Sequence, residues 1–148
     1  MIGIRERIDG ALFLWKNGRA EGALLSVLIA VAATARLRYP KMKDRECFEQ
    51  FLRDTRLPVM RVEYRGECHP FEHIFYKWLR CQLVHEGGLP LDIQFIGEDE
   101  PNSMSVRAGG APEYILKIGY GWFNHMVGCV ILAPENSEHF RKDERSEV

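Results

Sequence analysis

An arginine and a histidine near the end of an amphipathic segment are the side chains best suited to chemistry on a phosphate. Arg80 and His85 are five positions apart in Arg80-Cys-Gln-Leu-Val-His85. Histidine titrates near neutrality and can take or give a proton. Arginine stays charged and grips phosphate oxygens in a bidentate way. The pair could therefore bind a phosphate group and move a proton beside it. Alternatively, Arg80 is a solvated helix residue, and His85 only provides a favourable cation at a helix C-terminus.

The segment that carries this pair is predicted to be one helix between Pro70 and the Gly87-Gly88 pair, with Pro90 blocking its continuation. Apolar residues recur along it at the three-and-four spacing of a buried helix face: Phe71, Ile74, Phe75, Trp78, Leu79 and Leu83. Five residues of a regular α-helix turn through about 500°, so Arg80 and His85 diverge by about 140°. They can cooperate only if the helix end distorts or a second copy of the helix packs alongside.

The other segments predict a mainly α protein with a small β hairpin or sheet in its C-terminal half. Further helices are expected over residues 2–16, 19–38, 44–55 and 121–132, with Asp44 as the N-cap of the third. The second is apolar nearly all round, so it belongs inside a bundle. Strands are expected over 91–95, 104–108 as its hairpin partner, and 113–118, and residues 57–65 form a strand or an extended connection. We expect one domain over residues 1–134 and a charged, frayed tail over 135–148.

Charge is unevenly distributed along the chain. Residues 1–80 carry 15 Lys and Arg against 10 Asp and Glu, whereas residues 81–148 carry 5 against 11. A polyanion would therefore bind the first half, if the chain binds one at all. Arg61, Arg65 and Lys77 could form an RNA-binding patch beside Arg80, or they could simply be surface charges.

The compartment is predicted from the cysteines and the apolar runs. The four cysteines are widely scattered, which favours reduced thiols in a cytoplasm over a disulfide framework. The N-terminus lacks the pattern of a signal peptide. The longest uncharged apolar run, 22–35, is shorter than the roughly 20 residues that cross a bilayer. We therefore expect a cytoplasmic protein with no membrane partner.

Two further constellations have a functional and a structural interpretation. Cys68, His69, His73, Cys81 and His85 have spacings that can hold zinc. However, His73 and Cys81 are about 12 Å apart along the helix axis, so we expect neither a metal nor a cofactor. The aromatic residues near the last helix could stack on bases or belong to the core, and the core is favoured: Tyr114, Tyr120, Trp122 and Phe123.

The stretch Tyr76-Lys-Trp-Leu-Arg-Cys-Gln-Leu-Val-His-Glu-Gly87, together with the apolar helix over 19–38, resembles the HEPN (higher eukaryotes and prokaryotes nucleotide-binding) family. It is most similar to stand-alone bacterial members with a β-containing C-terminal part. The resemblance implies a HEPN-like helical bundle and a metal-independent endoribonuclease in which Arg80 and His85 are catalytic. Many active members carry Asn, Asp or His after the arginine, where this chain has Cys81, a poorer hydrogen-bonding partner.

The resemblance also implies a homodimer through the helix that bears Arg80 and His85, with RNA as substrate. The expected products carry 2′,3′-cyclic phosphate and 5′-hydroxyl ends. The resemblance further suggests that the protein is a toxin or anti-phage defence effector, for which an antitoxin protein could be a partner. The alternative is a non-catalytic HEPN module that binds nucleotide or RNA, or that serves in assembly.

Overall fold

Five helices and two small sheets form the part of the chain that the computed structural model describes, namely residues 2–55, 60–97, 100–110 and 114–140. The helices are α1 (Ile2–Lys16), α2 (Ala20–Arg38), α3 (Asp44–Asp54), α4 (residues 71–86) and α5 (Gly121–Leu132). The strands are β1 (Arg61–Tyr64), β2 (Glu67–Pro70), β3 (Ile93–Ile96), β4 (Val106–Arg107) and β5 (Leu116–Gly119). Helices account for 58% of the structure, which confirms the prediction of a mainly α protein with a minor β part.

Helix α2 is the central element of the bundle. It packs against α1, α3, α4 and α5, and its buried side chains are Ala23, Leu24, Val27, Leu28, Ala30, Val31, Thr34 and Ala35. By length and hydropathy alone, with a mean hydropathy of 1.6, this helix could also cross a membrane. A core helix passes the same test, and the packing of α2 against four other helices accounts for its apolar composition.

Helix α4 has the predicted position but not the predicted regular geometry. It consists of an α-helical turn (Phe71–Ile74), a π-helical segment (Phe75–Cys81) and a final α-helical turn (Gln82–Glu86). Gly87 closes it with a left-handed φ of 77°. All six residues of the predicted apolar face are buried. Because π-helical bonds join residues five apart, they change which side chains share a face.

The strands of the C-terminal half pair differently from the predicted hairpin. The order is β3-β5-β4, with β3 parallel and β4 antiparallel to β5, so the predicted pairing of 91–95 with 104–108 was wrong. Alternation identifies strands but not their partners.

Gly119 lets the chain near β4 approach closely, because a Cβ there would lie 2.2 Å from the carbonyl oxygen of Ser103. Leu91, predicted to face inward, precedes β3 and is 98% exposed.

A β hairpin joins α3 to α4. Strands β1 and β2 pair antiparallel around the turn Arg65-Gly66, whose φ angles of 55° and 84° are those of a type I′ turn. Of the residues 57–65, predicted as a strand or an extended connection, residues 61–64 form a strand. Residues 57–59 lie outside the described part of the chain, as does residue 113 of the strand predicted over 113–118.

The chain packs beyond the domain boundary predicted at residue 134. A 3₁₀ turn (Pro134–Asn136) follows α5. The fully buried Asn136 donates hydrogen bonds of 2.9 Å to Thr34 Oγ1 and to the carbonyl oxygen of Val130. Phe140 is also buried. Residues 135–140 therefore pack on the domain, although their charged composition had suggested a frayed tail. Residues 141–148 lie outside the described part.

Candidate functional site

One carboxylate gathers polar side chains from three helices beside the predicted catalytic arginine. Asp44, at the start of α3, accepts hydrogen bonds from Arg36 of α2 (Nη2 to Oδ1, 2.7 Å) and from Arg80 of α4 (Nη1 to Oδ2, 2.8 Å). The Tyr76 hydroxyl donates to the same Oδ2 at 3.0 Å. These four residues, called the Asp44 cluster below, combine two guanidinium groups with one carboxylate. The cluster therefore keeps a net positive charge.

The position of Asp44 differs from the predicted N-cap. Lys43 occupies the cap position with an extended backbone, and Asp44 is the first residue of the helix. A carboxylate in the first turn still interacts favourably with the helix dipole. Because the Asp44 side chain does not cap the helix, its oxygens are available to Arg36 and Arg80.

The π-helical segment of α4 explains why Tyr76, Arg80 and Cys81 meet on one side. Residues 76 and 81 are five apart, the spacing that a π-helix aligns. The Arg80 guanidinium carbon lies 5.5 Å from the centroid of the Tyr76 ring, and Arg80 Nη1 lies 3.9 Å from the Cys81 sulfur. Arg80 Nε is buried without a hydrogen-bond partner in the described part of the chain. The protein thus holds this arginine through one terminal nitrogen, Nη1.

Tyr76 makes the stability of this site sensitive to alkaline pH. Burial and the hydrogen bond to the Asp44 carboxylate raise the pKa of Tyr76 from 10.0 to about 12. A tyrosine whose pKa is higher in the folded state stabilises the fold below the unfolded pKa, and that stabilisation is lost as pH rises through the folded pKa. We expect the free energy of unfolding to fall between pH 10 and about 12, and to fall less steeply in Tyr76→Phe. Denaturant unfolding across this range measures both slopes, and identical slopes would contradict the prediction.

His85 lies in the last turn of α4 and is exposed. It makes no hydrogen bond or ion pair with the described residues. The π-helical segment ends at Cys81, and residues 82–85 are regular α-helix. Arg80 turns toward Asp44. One copy of the chain therefore presents both residues at one helix end but does not bring them into contact.

The basic residues predicted to assist Arg80 have other partners. Arg65 donates to both oxygens of Asp92, at 2.8 and 3.1 Å, and Arg61 donates to the carbonyl oxygen of Cys68 at 3.0 Å. The Lys77 ammonium lies 4.8 Å from the Trp78 ring centroid. In the described part of the chain Arg61 and Arg65 make no contact with the Asp44 cluster, whereas Lys77 directly follows Tyr76 in α4.

The zinc and base-stacking alternatives find little support. Among the described residues, no three His, Cys, Asp or Glu side chains are close enough together to hold a metal ion. His73 Nδ1 lies 3.2 Å from Glu49, and the His69 ring contacts Trp78. Of the predicted stacking residues, Trp122 and Phe123 are buried in the core and Tyr120 contacts Trp15, whereas Tyr114 is 66% exposed.

A thiol–imidazole pair lies in a separate cavity of ≈ 400 Å³ near α3 and α5. The Cys129 sulfur is 3.4 Å from His125 Nε2. Burial raises the pKa of Cys129 to about 11 and lowers the pKa of His125. Both groups are therefore neutral at neutral pH, and a neutral thiol is a poor nucleophile. The Asp44 cluster with His85 remains the stronger candidate site.

The fold and this site define a mainly α-helical protein with an arginine–aspartate cluster and, on the same helix as Arg80, an exposed histidine. The chain belongs to the Rv1289 family, whose model matches residues 3–146. No curated protein and no solved structure matches the chain. The sequence predicted Arg80 and His85 as site residues, but it did not predict that Arg36, Asp44 and Tyr76 join Arg80 in one cluster. Their spacing along the chain, over three helices, gives no signal that they meet.

Proposed function

We propose that this protein is a metal-independent endoribonuclease of the HEPN type, with Arg80 and His85 as catalytic residues. The observation that carries the proposal is the Asp44 cluster, which fixes the Arg80 guanidinium at the same helix end that exposes His85. The Arg80 side chain is 24% exposed. Its Nη2 makes no hydrogen bond with the described residues, so this nitrogen is available to a phosphate oxygen.

The chemistry follows from what these two side chains can do. A neutral His85 takes the proton of an RNA 2′-hydroxyl, or a protonated His85 gives one to the departing 5′-oxygen. The 2′-oxygen attacks phosphorus, the bond from phosphorus to the 5′-oxygen breaks, and the products carry a 2′,3′-cyclic phosphate and a 5′-hydroxyl. Arg80 stabilises the charge that develops on the phosphate oxygens.

A second copy of the chain completes the site in this proposal. In a regular α-helix, the five-residue step would turn His85 about 140° away from Arg80. A two-fold axis beside α4 places Arg80 of one copy opposite His85 of the other, so that two equivalent pairs line one cleft. Val84, the neighbour of His85, is 51% exposed and available to such a contact. A toxin or anti-phage role, with an antitoxin as partner, fits this reaction.

A non-catalytic HEPN module that binds RNA or nucleotide, or serves in assembly, is the second candidate. The ion pair of Arg80 with Asp44 inside one copy favours it, because the carboxylate offsets part of the charge that catalysis would use. Cys81 favours it too, since at 3.9 Å from Arg80 Nη1 its thiol is a weak partner.

Cleavage of end-labelled, mixed-sequence RNA in EDTA tests the two functions. The wild type is expected to cut it and to leave cyclic-phosphate ends, whereas the double variant Arg80→Ala/His85→Ala is not. The same sequence made with 2′-O-methyl nucleotides should stay intact, because it lacks the attacking hydroxyl. Light scattering on each sample reports whether the dimer is present.

Two results would overturn the nuclease assignment. One is RNA that stays intact with dimeric wild-type protein, in which case the binding-module function leads. The other is equal cutting by wild type and double variant, which would place the activity elsewhere or in a contaminant.

A further inference from the structure

We propose that the RNA backbone is bound by a basic surface at the turn between α2 and α3, composed of Arg36, Lys41, Lys43 and Arg80 and called the α2–α3 basic surface below. This inference rests on the proposed function and names the residues that position its substrate. It replaces Arg61, Arg65 and Lys77, the basic residues that the sequence favoured.

The Asp44 cluster fixes where this surface lies. Arg36, near the end of α2, has a side chain 58% exposed and meets Arg80 through the Asp44 carboxylate. Lys43 directly precedes Asp44, so their Cα atoms are about 3.8 Å apart, and its side chain starts beside the cluster. Lys41 lies in the same short turn, and both lysines are exposed. A phosphate that reaches Arg80 therefore comes close to three further cations.

The balance of charge on this surface is positive. Against its four cations stand the carboxylates of Asp44 and of Glu46, in the first turn of α3. Arg45 adds no net charge, because it pairs with Glu49 at 3.1 Å. Neither Lys41 nor Lys43 forms an ion pair with the described residues. The surface thus keeps a net charge of about +2, which attracts the phosphates of a polyanion.

The start of α3 adds weaker support. No side chain caps its first turn, so backbone N–H groups and the positive end of the helix dipole face the same turn. By contrast, Asp92 offsets the charge of Arg65, and the hairpin that carries Arg61 and Arg65 makes no described contact with the Asp44 cluster. The hairpin members of the predicted patch, Arg61 and Arg65, are therefore separate from the α2–α3 basic surface.

The test measures binding of a fluorescent 2′-O-methyl oligonucleotide, which cannot be cut, to the full-length protein by anisotropy over a range of salt. For single strands, each phosphate contact contributes about 0.7 to the slope of log K against log salt. Lys41→Gln/Lys43→Gln is expected to weaken binding and to lower that slope by about 1.4. The matched control Arg61→Gln/Arg65→Gln removes the same charge from the β1–β2 hairpin and should leave the slope near that of the wild type.

Cleavage of ordinary RNA is measured on the same proteins, so that the failure of this inference can be told apart from the failure of the proposed function. If the wild type binds and cuts RNA but the lysine variant keeps the wild-type salt slope, or the control variant shows an equal decrease in that slope, the α2–α3 basic surface is wrong and the nuclease assignment is retained. If only the lysine variant shows a smaller salt slope and no protein cuts RNA, the α2–α3 basic surface is retained and the nuclease assignment is wrong. If the oligonucleotide does not bind at low salt, the surface is wrong whatever the cleavage result.

Discussion

Replacing His85 by alanine is expected to reduce RNA cleavage by a factor of about 10²–10⁴ while leaving the fold intact. That range is the usual contribution of a positioned general acid or base. Stability should not change, because the side chain is exposed and makes no hydrogen bond or ion pair with the described residues. Single-turnover cleavage rates, with thermal unfolding measured on the same samples, give both quantities.

Two companion variants make this prediction specific. His85→Gln keeps a polar side chain that cannot titrate, so it should be as inactive as alanine if proton transfer is the role of His85. Glu86→Gln changes the next exposed residue of the same turn and should keep the wild-type rate. Full activity in His85→Gln would show that His85 only binds or supports the surface.

Replacing Asp44 by alanine is expected to cost about 2–3 kcal/mol of stability, or roughly 5–10 °C in the melting temperature. Three donors lose their acceptor at once, and two of them, Tyr76 and Arg80, are partly buried. Removing one partner of a fully buried charge pair costs about 3–5 kcal/mol. The value here is smaller because the Arg80 and Asp44 side chains are 24% and 33% exposed. Cleavage should also fall, since the Arg80 guanidinium then loses the carboxylate that holds its Nη1.

Asp9 provides the control for this prediction. It forms an i,i+4 pair with Arg5 at 3.2 Å and its side chain is 59% exposed. Exposed ion pairs contribute about 0–1 kcal/mol to stability, so Asp9→Ala should have a melting temperature close to that of the wild type. If Asp44→Ala melts no lower than Asp9→Ala, the Asp44 cluster does not stabilise the fold in the way inferred here.

The spacing of apolar residues and the stop signals in the sequence predicted the positions of the helices well. The three-and-four spacing of the apolar residues of α4 and the Gly87-Gly88 stop predicted both its buried face and its end. The last helix was predicted over the residues that it occupies, Gly121–Leu132. These features depend on neighbours a few positions apart, which a sequence displays directly.

Pairing between distant segments could not be predicted in this way. The strand β5 joins β3 to β4, although alternation alone suggested that β3 and β4 pair with each other. The burial of Asn136 against Thr34 likewise joins residues far apart in the chain, in a stretch whose charge suggested a frayed tail. Such contacts are selected by the whole core rather than by local composition.

The same distinction between local pattern and long-range contact applies to the candidate site. By itself the sequence determined that Arg80 and His85 lie toward the end of one amphipathic helix, and it predicted them as the residues suited to chemistry on a phosphate. Only the tertiary structure decided that Asp44 binds Arg80 rather than capping its own helix, and that a π-helical turn aligns Tyr76 with Cys81. The physical reason is that helical periodicity is local, whereas a carboxylate takes whichever donors the packed helices bring within hydrogen-bonding distance.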